Sequence, residues 1–482
     1  MKSSFSNGIM SLIAAILHQF SLFPLFMMSN IIPFMISYLY QTEKESSPDN
    51  TSSLTQNDGY FIHPIMELSM SICCFFGGMA EHYLGPRLVI FIGGICIALG
   101  DLFFIISRSL ILDFFINIFF GIGFAIAMTA AVKNASKYFP SKAGLINALA
   151  GGFGGNLGSS FFNLVIKFFV SKGDFPNNQD NNMYKKATAE NYKIFFYIHG
   201  GVVLGIAIVS ALLLVPYDEN KESSENLENK NENLVKEEDK IENNNENYRS
   251  GLKIILTHGR IYLLLFIFLF TSFLQGFIFT VGFNYGTMAH GDKTQSDIGG
   301  DEMSIIFMLT SLISSFMGPL FGFIYDKIGF KITLILIDGI SIVNGLLISL
   351  TVRWGVFFYG ISIILNGCLN GGAFSMIFPY VSKIYGFNYA GELYGFVVLS
   401  TGISSIISAS IYYVISHFSS EESNNDETYL IIFICGAILN LFTIVLIFFE
   451  SNELFDFNEN SQIDNESIKL LTSSIKEESK NE

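Results

Sequence analysis

Three acidic side chains that lie inside apolar stretches are the residues of this chain best suited to proton chemistry. Glu67, Asp101 and Asp338 each occur within a long run of apolar residues. An ionisable group inside such a segment costs about 2.5–3.5 kcal/mol or more on membrane-insertion scales. A carboxyl group kept at that cost can bind and release a proton near neutral pH. We predict that these three residues couple a proton to the function; the alternative is a structural carboxyl group that is protonated or hydrogen-bonded between helices.

A second group of charged residues lies between apolar stretches and occurs twice, about 245 residues apart. A glycine lets two helix ends approach closely, and an acid and a base beyond it can pair with each other or with a neighbouring helix end. The spacing predicts a latch that closes one face of the molecule, whereas ordinary interfacial charges that fix topology are the alternative. The two copies are Gly77, Glu81, Gly85 and Arg87, and Gly322, Asp326, Gly329 and Lys331.

The elements that position these residues are long apolar segments. Of the 482 residues, 50% are hydrophobic and 14% are charged, whereas about a quarter of a soluble domain is charged. A helix needs about 20 apolar residues to cross a bilayer, and this chain offers such a run many times. The sequence therefore predicts an all-α polytopic membrane protein, embedded in lipid, with a kinked first span. The twelve predicted spans are 10–40, 60–80, 88–107, 111–133, 143–168, 193–215, 258–285, 303–325, 332–351, 354–380, 392–416 and 429–449.

The repeated motifs divide the chain into two six-helix halves, residues 1–215 and 251–450. Duplicated six-helix halves are typical of a transporter fold. Residues 216–250 and 451–482 are acidic, rich in Asn and Ser and poor in aromatics, which predicts a disordered linker and tail outside the bilayer. An even number of spans places both termini on the same side of the membrane. A small excess of Lys and Arg on that side favours the cytosol as the location of the termini.

The twelve spans and the repeated motif G-x3-[D/E]-…-G-x-[R/K] resemble the major facilitator superfamily. "GIGFAIAMTAAVKNASKYFPSKAGLINALAGGFGGNLGSS", residues 121–160, is similar to the fourth and fifth helices of its monocarboxylate porter and oxalate/formate antiporter branch, and "FPYVSKIYGFNYAGELYGFVVLSTGIS", residues 378–404, to the tenth and eleventh. The resemblance implies alternating-access transport of a small carboxylate. The sequence departs from the pattern in four ways. Glu81 replaces the usual Asp, and one extra residue precedes Gly85. Gly318 stands where the branch carries an arginine that pairs with the substrate carboxylate, and Ser314 stands at the place of an acidic partner.

The resemblance also implies that the first, fourth, seventh and tenth helices line the solute cavity. Their amide and hydroxyl groups can hydrogen-bond a polar solute while remaining neutral, although such groups also connect helices in membranes. For an anionic solute, Lys133 is the predicted partner. The predicted solute-binding residues are His18, Asn30, Asn117, Thr129, Lys133, Gln275, Asn284, Tyr285, Asn366 and Asn370.

These features together predict a secondary transporter of a small organic solute. The resemblance favours a monocarboxylate such as pyruvate or lactate, moved together with protons, whereas the missing arginine favours a neutral polar solute such as an amino acid. A receptor or scaffold that kept the fold without transport is the alternative from another class. The sequence shows no catalytic cluster, metal spacing or basic stripe, so we expect no enzyme activity, no cofactor and no nucleic-acid partner.

The tail segment "ESIKLL" fits an acidic dileucine sorting signal read by an adaptor, through Glu466, Leu470 and Leu471. Short patterns of this kind also arise by chance. The sequence does not distinguish a plasma membrane from an organelle membrane.

Overall fold

The computed structural model describes residues 2–22, 28–46, 54–172, 183–217, 250–288, 300–418 and 425–450, and these are almost entirely helical. The helices are numbered here in chain order. They are α1 (Lys2–Leu22), α2 (Met28–Ser46), α3 (Ile62–Leu84), α4 (Pro86–Ile106), α5 (Leu110–Tyr138), α6 (Ala143–Asn147), α7 (Asn156–Val165), α8 (Lys186–Ala189), α9 (Tyr192–Leu213), α10 (Ser250–Thr257), α11 (Gly259–Met288), α12 (Gly300–Ile328), α13 (Phe330–Arg353), α14 (Val356–Tyr385), α15 (Phe387–Phe418) and α16 (Asn425–Phe449).

The described residues contain 11 helices that are long and apolar enough to cross a membrane. The predicted fifth span, 143–168, differs because its hydrogen-bond pattern changes along its length: α6 continues into a π-helix at Ala148–Gly155, and α7 continues into another at Ile166–Ser171. Glycines lower the preference for the α-helix, and the first π-helix carries four of them in eight residues. With this segment included, the structure agrees with the predicted twelve spans.

The predicted first span is formed by two helices. α1 ends at Leu22 and α2 begins at Met28. Pro33 lies inside α2, which continues to Ser46, beyond the predicted end of the span at residue 40.

The two halves of the molecule meet along two long helix contacts, α3 against α15 and the α6–α7 segment against α12. Glycines permit this close approach: a Cβ on Gly78 would lie 2.7 Å from the carbonyl carbon of Gly391, and a Cβ on Gly152 would lie 3.2 Å from the Cα of Gly318. The outward surface carries large exposed apolar side chains such as Phe115, Phe316 and Phe448. Apolar surface of this extent requires lipid around it.

In each half, the chain just beyond the last spanning helix makes polar contacts with the first and fourth spanning helices, and these contacts are called here the anchor. The carbonyl oxygen of Val215, beyond α9, accepts hydrogen bonds from Asn134 Nδ2 at 2.8 Å and Ser11 Oγ at 2.9 Å. The Glu450 carboxylate, beyond α16, accepts from Arg260 Nε at 2.5 Å and from Tyr380 Oη at 2.8 Å. The anchor therefore lies at the same place in both halves, but a backbone carbonyl accepts the hydrogen bonds in the first half and a carboxylate accepts them in the second.

The C-terminal anchor makes a stability prediction. We expect Arg260→Ala to destabilise the protein by about 3 kcal/mol, because removing one partner leaves the buried Glu450 charge without a cation. A fall in the thermal unfolding midpoint of the detergent-purified protein would show this. Arg353→Ala removes an exposed arginine from the end of α13 and is the matched control. Equal midpoints for the two variants would contradict the anchor.

Candidate functional site

Two helices of the N-terminal half, α1 and α5, bring predicted solute-binding residues together. Gln19 Nε2 of α1 donates to the Met128 carbonyl of α5 at 2.8 Å, which fixes the two helices. His18 is buried beside the Ala127 backbone, and neither of its ring nitrogens has a hydrogen-bond partner among the described residues. The Thr129 hydroxyl is also buried without a partner among the described residues. These two groups have unused hydrogen-bonding capacity.

The corresponding helices of the C-terminal half, α11 and α14, show the same feature. Asn366 Nδ2 donates to the backbone carbonyl of Gln275 at 3.3 Å. Both polar atoms of the Gln275 side chain and the Asn366 Oδ1 atom lack partners within the described part of the chain, and both side chains are buried. A buried polar group without a hydrogen bond costs about 1–3 kcal/mol. A bound polar solute or water would supply the missing partners.

The other predicted solute-binding residues have different surroundings. Asn30 Nδ2 donates to Asn163 Oδ1 at 2.9 Å and so connects α2 to α7. Asn117 Nδ2 donates within its own helix to the Asp113 carbonyl at 2.8 Å. Asn370 is half-buried, one turn after Asn366 on α14. The remaining two side chains, Asn284 and Tyr285, lie outside the part of the molecule that the structure describes.

Lys133, predicted as a partner for an anionic solute, is paired inside the protein. Its Nζ lies 3.2 Å from the Glu81 carboxylate, and both side chains are nearly buried. Glu392, near the start of α15 in the other half, is close enough to interact electrostatically with this ammonium group. Arg87 does not pair with Glu81; its Nε donates to the Leu214 carbonyl at 2.7 Å. The Lys133 charge is thus compensated in this conformation.

The second copy of the motif contacts the opposite half directly. The Asp326 carboxylate accepts from the Leu145 backbone N–H at 3.1 Å, at the start of α6. A carboxylate at a helix start is stabilised by free N–H groups and by the helix dipole. Lys331 lies in the first turn of α13. Residues 77–87 and 322–331 therefore mark one side of the molecule, called here the motif face.

The glycines of both motifs have structural reasons. Gly85 and Gly329 end α3 and α12 with φ of +74° and +82°, a region that favours glycine. A Cβ on Gly77 would lie 2.5 Å from the Ala125 carbonyl oxygen. A Cβ on Gly322 would lie 2.7 Å from the carbonyl oxygen of Gly144. Larger residues at the last two positions would push the packed helices apart.

Glu67 bridges the halves nearer the opposite face. Its carboxylate accepts a short hydrogen bond from the Ser405 hydroxyl of α15. Closer to that face, the hydroxyl oxygens of Tyr60 and Tyr412 are 3.1 Å apart. The contact between α3 and α15 is therefore closed along its length, and a titratable acid lies within it.

The other two predicted proton-coupling acids are fully buried, each within one half. Asp338 accepts from Thr271 Oγ1 at 3.3 Å, and its second oxygen lacks a partner among the described residues. Asp101 faces His199, whose Nδ1 lies 2.9 and 3.0 Å from the two carboxylate oxygens. Sequence reasoning missed His199 and Glu392. A buried Asp requires a partner, and this requirement was the available signal for His199.

The family model of the Major Facilitator Superfamily matches residues 19–409, and the chain therefore belongs to this superfamily. It is a secondary transporter in class, which confirms the predicted fold and the expectation that the chain is not an enzyme. The match is to the superfamily as a whole, so the monocarboxylate branch stays a prediction.

Solved transporter structures share this fold across nearly the whole chain. A mutant of the nucleoside transporter NupG has 14% identity and a TM-score of 0.61, with 91% of this chain and 100% of that chain covered. The proton:xylose symporter XylE, bound to 6-bromo-6-deoxy-D-glucose, has 17% identity and a TM-score of 0.58, covering 92% and 96%. A variant of the fucose:proton symporter FucP of E. coli has 13% identity and a TM-score of 0.58, covering 92% and 100%. No curated protein matches the chain.

Proposed function

We propose that this protein transports a small neutral polar solute by alternating access, together with protons. The observation that carries the proposal is a set of buried side chains on α1, α5, α11 and α14 with atoms that find no hydrogen-bond partner in the described part of the chain: His18, Thr129, Gln275 and Asn366. These groups occupy both halves, and each can hydrogen-bond a solute without carrying a charge. A solute that spans the two halves would draw them together, as alternating access requires.

Packing supports a neutral solute over a monocarboxylate. Gly318 replaces the branch arginine, and a Cβ there would lie 3.1 Å from the Gly152 Cα, which leaves no room for a long side chain. Lys133 is held by Glu81. Transporters of a nucleoside, of xylose and of fucose occur among the similar structures, so the fold accommodates neutral hydroxyl-rich solutes.

A monocarboxylate such as lactate is the second candidate, favoured by the sequence resemblance of residues 121–160 and 378–404. It would need a positive counter-charge. Lys133 is the lysine on the four cavity helices that could supply it, after release from Glu81.

The motif-face contacts are proposed to work as the latch. Asp326 holds the start of α6, and the Glu81–Lys133 pair meets Glu392 of the other half. These contacts must separate when the motif face opens, whereas the Glu67–Ser405 contact must separate when the opposite face opens. We propose Glu67, Asp101 and Asp338 as the acids through which protons act.

Several sequence predictions stand beside this mechanism as proposals. The halves 1–215 and 251–450 would rock against each other, with the motif face and both termini toward the cytosol. The linker, the tail and the sorting residues Glu466, Leu470 and Leu471 lie almost entirely outside the described residues.

Solute binding to the purified protein tests the proposed solute class. We expect one of D-xylose, L-fucose, uridine or L-alanine to raise the thermal unfolding midpoint, because a ligand that binds the folded state and not the unfolded state stabilises the protein, and does so more at higher ligand concentration. L-lactate and pyruvate are the comparison. Stabilisation by the carboxylates alone would replace the neutral solute with the second candidate, and stabilisation by neither group would point to a scaffold.

A further inference from the structure

A buried pair of ionisable residues lies outside the proposed solute site. Asp101 of α4 and His199 of α9 are both fully buried. The His199 ring stacks on Phe195, with ring centroids 5.6 Å apart, and lies edge-to-face with Phe162, with centroids 5.1 Å apart. His199 Nδ1 faces the Asp101 carboxylate, and Nε2 lies 3.2 Å from the Ser21 carbonyl oxygen of α1. The imidazole thus joins three helices.

The acceptors around His199 determine how many protons the Asp101–His199 pair must hold for all of its hydrogen bonds to form. A backbone carbonyl only accepts, so Nε2 must carry hydrogen to bond Ser21. On the other side, either Nδ1–H donates to an ionised Asp101, or a protonated Asp101 donates to Nδ1. Both arrangements hold the same number of protons and are neutral overall. Removing one proton from the pair leaves it with a net negative charge. One ring nitrogen of His199 then carries a lone pair instead of hydrogen, and this lone pair faces an acceptor oxygen of Asp101 or Ser21.

We propose that the Asp101–His199 pair is a proton-binding site that controls the attachment of α1. When the proton is bound, His199 holds the Ser21 carbonyl and Asp101 together. When the proton is lost, one of these two hydrogen bonds breaks. If the bond between His199 and Asp101 is kept, the Ser21 carbonyl loses its donor and the end of α1 is released. This inference deepens the proposed proton-coupled transport and rests on it, since α1 also carries His18 of the proposed solute site.

Ser21 occupies a position at which such a change can affect α1. The helix ends at Leu22, so Ser21 lies in its last turn. The Ser21 hydroxyl donates to the His18 carbonyl at 2.8 Å, and His18 lies one turn earlier on the same helix. Releasing the Ser21 carbonyl therefore loosens the end of the helix next to a solute-binding side chain.

Tyr192 and Lys193, on α9 beside the pair, have partners of their own. Among the described residues, His199 is the titratable group that hydrogen-bonds Asp101. The Tyr192 hydroxyl donates to the Phe104 carbonyl at 3.2 Å, and Lys193 Nζ bonds Glu190 at 2.9 Å. The titratable side chains that the structure describes on the elements packed around the pair are His18 on α1, Tyr38, Tyr40, Glu43, Lys44 and Glu45 on α2, Asp113, Lys133, Lys137 and Tyr138 on α5, Lys167 on the second π-helix, and Tyr192, Lys193 and Tyr197 on α9.

The pair lies nearer the face opposite the motif face. α4 ends five residues after Asp101, and α9 begins seven residues before His199. At 1.5 Å per residue these separations are about 8 and 11 Å. The proton therefore reaches the pair from the face opposite the motif face, which is the outer side in the proposed orientation.

Hydrogen–deuterium exchange of α1 as a function of pH tests this site without any solute. In the wild-type protein, exchange near the end of α1, corrected for intrinsic base catalysis, is expected to rise about tenfold as pH increases through the loss of the proton. In Asp101→Asn, the amide Nδ2 donates to Nδ1 of a neutral His199 and Nε2–H stays on Ser21. This variant keeps every hydrogen bond but binds no proton, so its exchange should not change with pH.

Asp113→Asn is the matched control, because Asp113 is a buried acid in the same half whose loss should leave the wild-type step intact. A wild-type protein without a step between about pH 5 and 9 would overturn the proposal, as would a step that persists in Asp101→Asn or disappears in Asp113→Asn. Since the readout needs no transport, a failure of solute binding or uptake would be recognised separately from a failure of this site.

Discussion

Lys133→Met is expected to reduce solute uptake about 100-fold. The substitution leaves Glu81 buried without its cation and removes the ammonium group that acts on Glu392. Breaking a buried ion pair in this way is strongly destabilising. The motif face would then no longer close. Initial rates of uptake into proteoliposomes measure the effect, with thermal unfolding midpoints to follow stability.

The double variant Lys133→Met/Glu81→Gln separates two roles for the lysine. If Lys133 acts in the latch, removing both charges should restore the unfolding midpoint and most of the uptake. If Lys133 instead binds an anionic solute, the midpoint should recover while uptake stays low. The second outcome would contradict the latch and favour the monocarboxylate.

Gln275→Leu is expected to weaken solute binding by about 10–100-fold while raising thermal stability. The Gln275 amide is buried with no hydrogen bond in the described part of the protein, so leucine removes an unsatisfied polar group and also a donor and an acceptor for the solute. Binding and unfolding midpoints of the same preparation give both values. Opposite changes in binding and stability are what distinguishes a ligand group from a packing group.

Gln19→Leu is the control for this prediction. Gln19 is another buried glutamine on a cavity helix, but its Nε2 already bonds the Met128 carbonyl. The leucine variant should therefore lose stability. A fall in stability for Gln275→Leu as well would show that Gln275 has a protein partner and no role in binding.

Much of the fold was predictable because the bilayer imposes strong constraints. The apolar runs predict the spans, and the offset of about 245 residues predicts the two halves. The change to π-helix in the fifth span was not predictable in the same way, since composition predicts a helix but does not specify which hydrogen-bond pattern glycine-rich segments adopt. The kink that its prolines predict for the first span stays a prediction, because residues 23–27 lie outside the described part of the chain.

The sequence allowed the residue types of the site to be predicted, but not the partner that each residue contacts. The motif acids were expected to pair with a base or with a helix end, and Asp326 contacts the start of α6. Glu81, however, pairs with Lys133, which lies 52 positions away, while the neighbouring Arg87 bonds a carbonyl. His199 was missed because the contact with Asp101 joins α4 to α9, and such a contact depends on packing that spacing along the chain does not reveal.

The close packing at Gly318 illustrates how structure changes an inference from sequence. The missing arginine left open whether a nearby residue compensates for it. The contact with Gly152 shows that the position itself is filled by another helix. A charge at that depth would need a different site, and the described cavity helices offer neutral amides and hydroxyls there.

Uptake into proteoliposomes under an imposed inward proton gradient tests the central claim most directly. The wild-type protein would be compared with Gln275→Leu, using labelled D-xylose, L-fucose, uridine and L-alanine beside L-lactate and pyruvate. We expect one neutral solute to accumulate, the gradient to increase this accumulation, and Gln275→Leu to abolish it at low solute concentration. Accumulation of lactate or pyruvate alone, unchanged in Gln275→Leu, would contradict a neutral solute bound between the two halves.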